Sequence, residues 1–224
     1  MSTAADEAID THDSGDGGGD EPVEVRPWWQ SPVNLVSVAV AIALLAGALG
    51  WVIGNNRALP DPNTTDIGFL QDMRWHHDQA VELAFVFLND EGTDAGLRTI
   101  AEEILVGQSL ESGMMIQLLR SFGAAESNET DIAMSWMGTP TPLERMPGMA
   151  SDTDIAALQV ASGVEADRLF VTLMTAHHQG GIHMAQYAAE HAATADVRTM
   201  AGQIAGNQAE EIDELASVLA RIEG

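Results

Sequence analysis

Two places in this chain carry the same trio of metal-ligating side chains, Met73 with His76 and His77, and Met174 with His177 and His178. In each, a thioether precedes two imidazoles by three and four residues, a spacing that returns to one face of a helix. Met sulfur with His nitrogen, in a chain that has no Cys, is a donor set for Cu(I) or the related soft ion Ag(I). Thiolate zinc and Fe–S sites would need Cys, and a ferritin-type di-iron site would need Glu three residues before a His. Those positions hold Met73 and Met174. The competing reading is packing, with Met as core filler and His as satisfied interior residues. Four imidazoles buried in a small domain cost desolvation unless partners satisfy them, which favours a ligand role.

The trios belong to a longer repetition. Asp66, Phe69, Met73, His76 and His77 recur 101 residues later as Asp167, Phe170, Met174, His177 and His178. Leu97, Arg98, Ala101, Ile104, Gln108 and Glu111 recur 100 residues later as Val197, Arg198, Ala201, Ile204, Gln208 and Glu211. The single residue lost falls between the two groups, where a loop absorbs it.

Holding these residues in register requires helices, since neither half has the β-branched alternation of strands. The pattern predicts helices over 66–88 and 95–122, with Thr93 or Asp94 as cap, and over 164–191 and 195–222, with Thr194 or Asp196 near the cap. Two tandem hairpins make an all-α four-helix bundle with pseudo-twofold symmetry spanning 66–224, with repeat halves 66–122 and 164–222. Pro140, Pro142 and Pro147 make 123–163 an irregular crossover, with a short helix over 152–161. A twofold would bring the two trios together, Gly181 and the matching Ala80 letting the facing backbones approach.

Other donors are secondary. Gln108, Glu111, Gln208 and Glu211 either orient the rings as hydrogen-bond acceptors or lie on a solvated face. Met184 continues the Met174 face, and His183 is a further ligand candidate, whereas His191 reads as surface and His12 as irrelevant. The crossover holds Met134, Met137, Met146 and Met149 around Trp136, either as an apolar flap or as a soft-metal access route or second site. No Ser–His–Asp order, phosphate-binding loop, dinucleotide fingerprint or HExxH helix gives a positive sign of catalysis.

The rest of the chain places this domain. Of 224 residues, 34 are acidic and 9 basic, all Arg, giving a net charge of −25 that excludes sequence-independent nucleic-acid binding. Residues 1–32 are acidic and Gly-rich and read as a disordered tail. The uncharged stretch 33–54 would span about 33 Å as a helix, close to a bilayer's hydrocarbon core. Trp28, Trp29 and Trp51 flank it as an aromatic belt, and the long acidic lead argues against a cleaved signal peptide. Arg26 and Arg57 nearly balance, so orientation rests on the expectation that the larger C-terminal part, beyond a linker over 55–65, is translocated.

The pattern Asp-x2-Phe-x3-Met-x2-His-His followed by Arg-x2-Ala-x2-Ile-x3-Gln-x2-Glu, repeated around Met146-Pro147-Gly148-Met149, resembles the family called domain of unknown function 305. The resemblance covers about 66–219. It implies a ferritin-like fold in bacterial extracytoplasmic proteins, some of them linked to copper binding and tolerance. Two departures stand out. Leu83 replaces the Met expected six residues after His77, while Met184 keeps its counterpart, and the second hairpin helices read Glu111-Ser112 and Glu211-Ile212. The first half is then a weaker binder, or the halves share one asymmetric site. The expectation is a single-pass, extracytoplasmic Cu(I)-binding protein for buffering, trafficking or tolerance, with a membrane protein or copper enzyme as partner. The alternative is a non-catalytic accessory subunit of a membrane complex, in which His and Met are structural.

Overall fold

The computed structural model describes residues 27–55, 60–90 and 92–224. Most of the acidic stretch, 1–26, and the linker segment 56–59 lie outside the described residues. Two units pack separately, one up to residue 57 and the other from residue 58 on.

The first unit contains α1, Pro32–Asn55. Its window Pro32–Val52 has a mean hydropathy of 2.4 and none of it is buried, so it is long and apolar enough to cross a membrane. Its polar side chains turn back on the backbone. Asn34 donates to the Trp28 carbonyl at 2.9 Å and Ser37 to that of Val33 at 2.9 Å, which keeps donors paired in an apolar setting.

The second unit is a four-helix bundle of α2 (Thr64–Leu88), α3 (Ala95–Ser121), α5 (Val164–His191) and α6 (Ala195–Glu223), with the short α4 (Asp152–Val160) in the crossover. α2 starts two residues before its predicted position because Asn63 closes a capping box. Its side chain accepts from the amides of Thr65 and Asp66, and Asp66 accepts from Asn63. Asp94 caps α3, and Thr194 caps α6. The remaining strand content among the described residues is a two-residue ladder in the crossover, with β1 (Ile132–Ala133) antiparallel to β2 (Thr141–Pro142).

Each hairpin packs on itself, and the two meet chiefly along α2 and α5. Two aspartates clamp the hairpins together. Asp66 of α2 accepts the amides of Ala193 and Thr194 and the Thr194 hydroxyl, and Asp167 of α5 accepts the amide of Asp94 at 3.0 Å. Each therefore ties the start of one hairpin to the second helix of the other. These aspartates do not face the imidazoles, so their recurrence in sequence serves assembly.

The core divides into two apolar clusters. One joins the start of α2 and end of α3 with the end of α5 and start of α6, and includes Met73, Met115, Met134, Met146, Met184 and Met200. The other lies at the opposite end, where Phe87 stacks on Phe170 with centroids 4.2 Å apart, and holds Met174. At the Met-rich end, Trp136 from the crossover packs edge-on to Phe69 in the place a second aromatic pair would fill. Gly68 makes the room, since a Cβ there would fall 2.3 Å from the indole.

Candidate metal centre

Between the two apolar clusters lies a polar layer, to which every helix of the bundle contributes two or three residues. α2 contributes His76 and His77, α3 Gln108, Glu111 and Ser112, α5 His177 and His178, and α6 Gln208 and Glu211. All four imidazoles are fully buried, and both glutamine amides nearly so.

At the centre His76 and His177 stack, with ring centroids 3.7 Å apart and planes 32° from parallel. Burial, reinforced by the neighbouring His77, pushes His76 down to about 3, so it is neutral at physiological pH. His177 is likewise held well below the ordinary imidazole value, first by burial and then by His76. Two stacked neutral rings repel little, whereas two imidazolium ions at this distance would not remain buried.

The flanking histidines are each held by a carboxylate. His77 Nε2 lies 2.8 Å from Glu111, and His178 Nε2 lies 2.5 Å from Glu211. A carboxylate accepts, so Nε2 carries the proton in each pair, and in the neutral ring Nδ1 keeps its lone pair. The glutamates thus fix the ring orientations by hydrogen bonds while their own side chains stay partly in solvent. Gln108 and Gln208 also face inward.

Many of these polar atoms lack a hydrogen-bond partner. Nδ1 of all four histidines, Nε2 of His177, both ends of the Gln108 and Gln208 amides and the Ser112 hydroxyl are unpartnered. A buried donor or acceptor left unmade costs about 1–3 kcal/mol, and native interiors rarely hold so many in one layer. Lone pairs on Nδ1, beside a cluster of thioethers, are a donor set that a soft cation would satisfy. Among the described residues no three His, Asp or Glu side chains already surround a single point.

The crossover closes the α2/α5 side of this layer. Pro147 places its carbonyl 3.3 Å from His76 Nε2, and Gly148 packs on the backbone at Ala176 and His177, where a Cβ would collide. Gln79 bonds both ways with Ala150, its oxygen accepting the amide at 2.6 Å and its nitrogen donating to the carbonyl at 2.9 Å. Asp72 accepts from the Met134 amide, the Trp136 indole and Asn128.

Several expected placements differ. His183 is exposed, away from the imidazole layer. Met73 and Met174 lie in different clusters, so the two trios meet through their histidines only. Met184 and Met146 join Met73 in the Met-rich cluster, and Met149 packs against it partly buried. Gly181 does not bring two helices together. It makes room for Gln208, whose amide oxygen would lie 2.3 Å from a Cβ there, and the close approach is at Gly180, against the Pro147 carbonyl. Asp72, Gln79 and Ser112 were not singled out beforehand. Asp72 and Gln79 had a signal, because the matching positions in the second half are the unrelated Leu173 and Gly180.

Fold and site together define a helical-bundle protein with a buried His layer against a Met-rich core. The model of the family described as domain of unknown function (DUF305) matches residues 66–219, and the chain belongs to that family. A DUF305 protein from Streptomyces coelicolor is 34% identical, over 70% of this chain and 93% of its own, with a TM-score of 0.63. A DUF305 fragment from Deinococcus radiodurans is 29% identical, over 72% and 99%, with a TM-score of 0.62. CopM, solved in its Cu(I)-bound form, is 23% identical over 72% and 100%, with a TM-score of 0.53, a likeness of fold. No curated protein matches the chain significantly.

Proposed function

We propose that this protein is a membrane-anchored, extracytoplasmic metal-binding protein that holds Cu(I) or Ag(I) for copper buffering, trafficking or tolerance. The observation that carries the reading is the buried layer of four imidazoles, whose Nδ1 atoms have no partner. His76, His77, His177 and His178 supply nitrogen. Met73, Met146 and Met184, with Met149 at the edge and Met174 on the far side, are the sulfur candidates. Bound there, the ion would replace missing hydrogen bonds with coordination, and the neutral His76 and His177 rings need not lose a proton first. Glu111 and Glu211 hold the outer rings in the ligating tautomer.

Other findings support the reading. CopM, of the same fold, has been solved with Cu(I), Cu(II) and Ag bound, the Streptomyces coelicolor relative is described as secreted, and α1 has the length and hydropathy of an anchor. The test is an anaerobic Cu(I) titration of residues 58–224, a packing unit of its own, against a competing chelator with zinc as control. Tight Cu(I) and weak zinc binding, with Cu(I) lost in His76→Ala and His177→Ala, is expected. Cu(I) affinity unchanged in both variants would overturn it.

A further inference from the structure

A cation bound among these imidazoles must cross the bundle wall, and the four sides of the wall differ. Two are the α2/α3 and α5/α6 hairpins, which pack extensively. The third, over α2 and α5, is sealed by the crossover through Gln79, Pro147 and Gly148. The fourth lies between α3 and α6, which pack together least. There the Glu111 and Glu211 side chains are 21% and 25% exposed while the imidazoles they hold are wholly buried. Each carboxylate thus has one side in water and the other on a ligand candidate.

We propose that the cation enters through the α3/α6 face, captured by Glu111 and Glu211 and passed inward, beyond the Nε2–H edges of His77 and His178, to the Nδ1 lone pairs of the layer. The inference rests on the metal-binding reading and adds its route. A carboxylate that binds a monovalent cation weakly is suited to relay, since the ion leaves it for softer donors inside. The strongly acidic chain concentrates cations near its surface at low ionic strength.

The two sides of this entrance are not alike. The Asn207 amide of α6 reaches across to Glu111 at 3.4 Å. The residue matching Asn207 in the first half is Gly107, which has open space where a side chain would stand. Glu211 therefore lacks the latch that Glu111 has, and the Glu211–His178 side is the freer path.

Uptake of Ag(I) by the full chain in detergent, chased at intervals with excess chelator, tests the route. Gly107→Asn, which supplies a second latch on an open helix surface, is expected to slow uptake several-fold with equilibrium affinity unchanged. Glu211→Gln is expected to slow it far more than Glu165→Gln, an exposed carboxylate on α5 whose loss changes net charge equally. Gln79→Ala, which loosens the crossover, is expected to leave the rate as it is. Faster uptake in Gln79→Ala, with Gly107→Asn and Glu211→Gln at the wild-type rate, would overturn the route and leave the binding site standing. Absence of Ag(I) binding at equilibrium in the wild type would instead remove the site and the route with it.

Discussion

The stability of this bundle should fall on mild acidification, and the size of the loss follows from one ring. His76 titrates near 3 in the fold and at 6.5 when free. Between those values the unfolded chain binds a proton that the folded chain refuses, so stability is fully present above 6.5 and declines as pH falls towards 3. Each pH unit inside that window is worth about 1.4 kcal/mol per group. From pH 7 to pH 5 the ring crosses about 1.5 units of the window, a loss of about 2 kcal/mol or roughly 30-fold in the folding equilibrium. His177 acts in the same direction. Asp78 and Asp167, raised first by burial, act oppositely, so the effect of His76 is read as a difference between wild type and a His76 variant that keeps both aspartates. Urea unfolding of residues 58–224, followed by far-ultraviolet circular dichroism, reads the difference directly. His76→Gln should start less stable and lose about 2 kcal/mol less than wild type over the same interval. Parallel losses in the two proteins would mean that His76 is protonated or hydrated inside the fold, and the argument for a neutral buried ring would fail.

Two further outcomes follow from the packing. Asp66→Ala should cost about 3–5 kcal/mol because it strands the amides of Ala193 and Thr194 and breaks the α2 capping box, whereas Asp167→Ala, which loses one bond to Asp94, should cost about 1–2 kcal/mol. Urea midpoints rank the two, and equal costs would show that the clamps are not what joins the hairpins. Gly180→Ala would place a methyl 1.8 Å from the Pro147 carbonyl. It should lift the crossover, cost about 1–3 kcal/mol and speed amide exchange at Met149, while Gly202→Ala, in open space, should leave both unchanged or slightly improved.

Much of this was legible in the chain because the repeated positions mark faces. The imidazoles, Gln108, Gln208, Glu111 and Glu211 recur together, which marked them as a set but left open whether the Gln and Glu side chains meet the rings or solvent. Helix ends came within two residues because Asp94, Thr194 and the Asn-Asp-Glu-Gly break are local signals. Contacts between the halves were less visible. The recurrence of Asp66 and Asp167 shows that both matter, yet their partners, Thr194 and Asp94, lie 128 and 73 residues away. The crossover's seat was written where the repeat breaks, in Gly68, Asp72 and Gln79 of α2 against Leu169, Leu173 and Gly180 of α5. His183 follows His177 by six residues, about 120° around a 3.6-residue turn, so its exposure agrees with a rotation off the His177 face that the spacing already carried.

The proposed site would hold a soft cation by imidazole and thioether together. X-ray absorption at the copper edge, on the protein loaded anaerobically with Cu(I), addresses it most directly. A first coordination shell containing both nitrogen and sulfur is expected, with the nitrogen contribution diminished in His177→Ala and the sulfur contribution in Met184→Leu. A shell of nitrogen and oxygen alone, unaltered by either substitution, would contradict it.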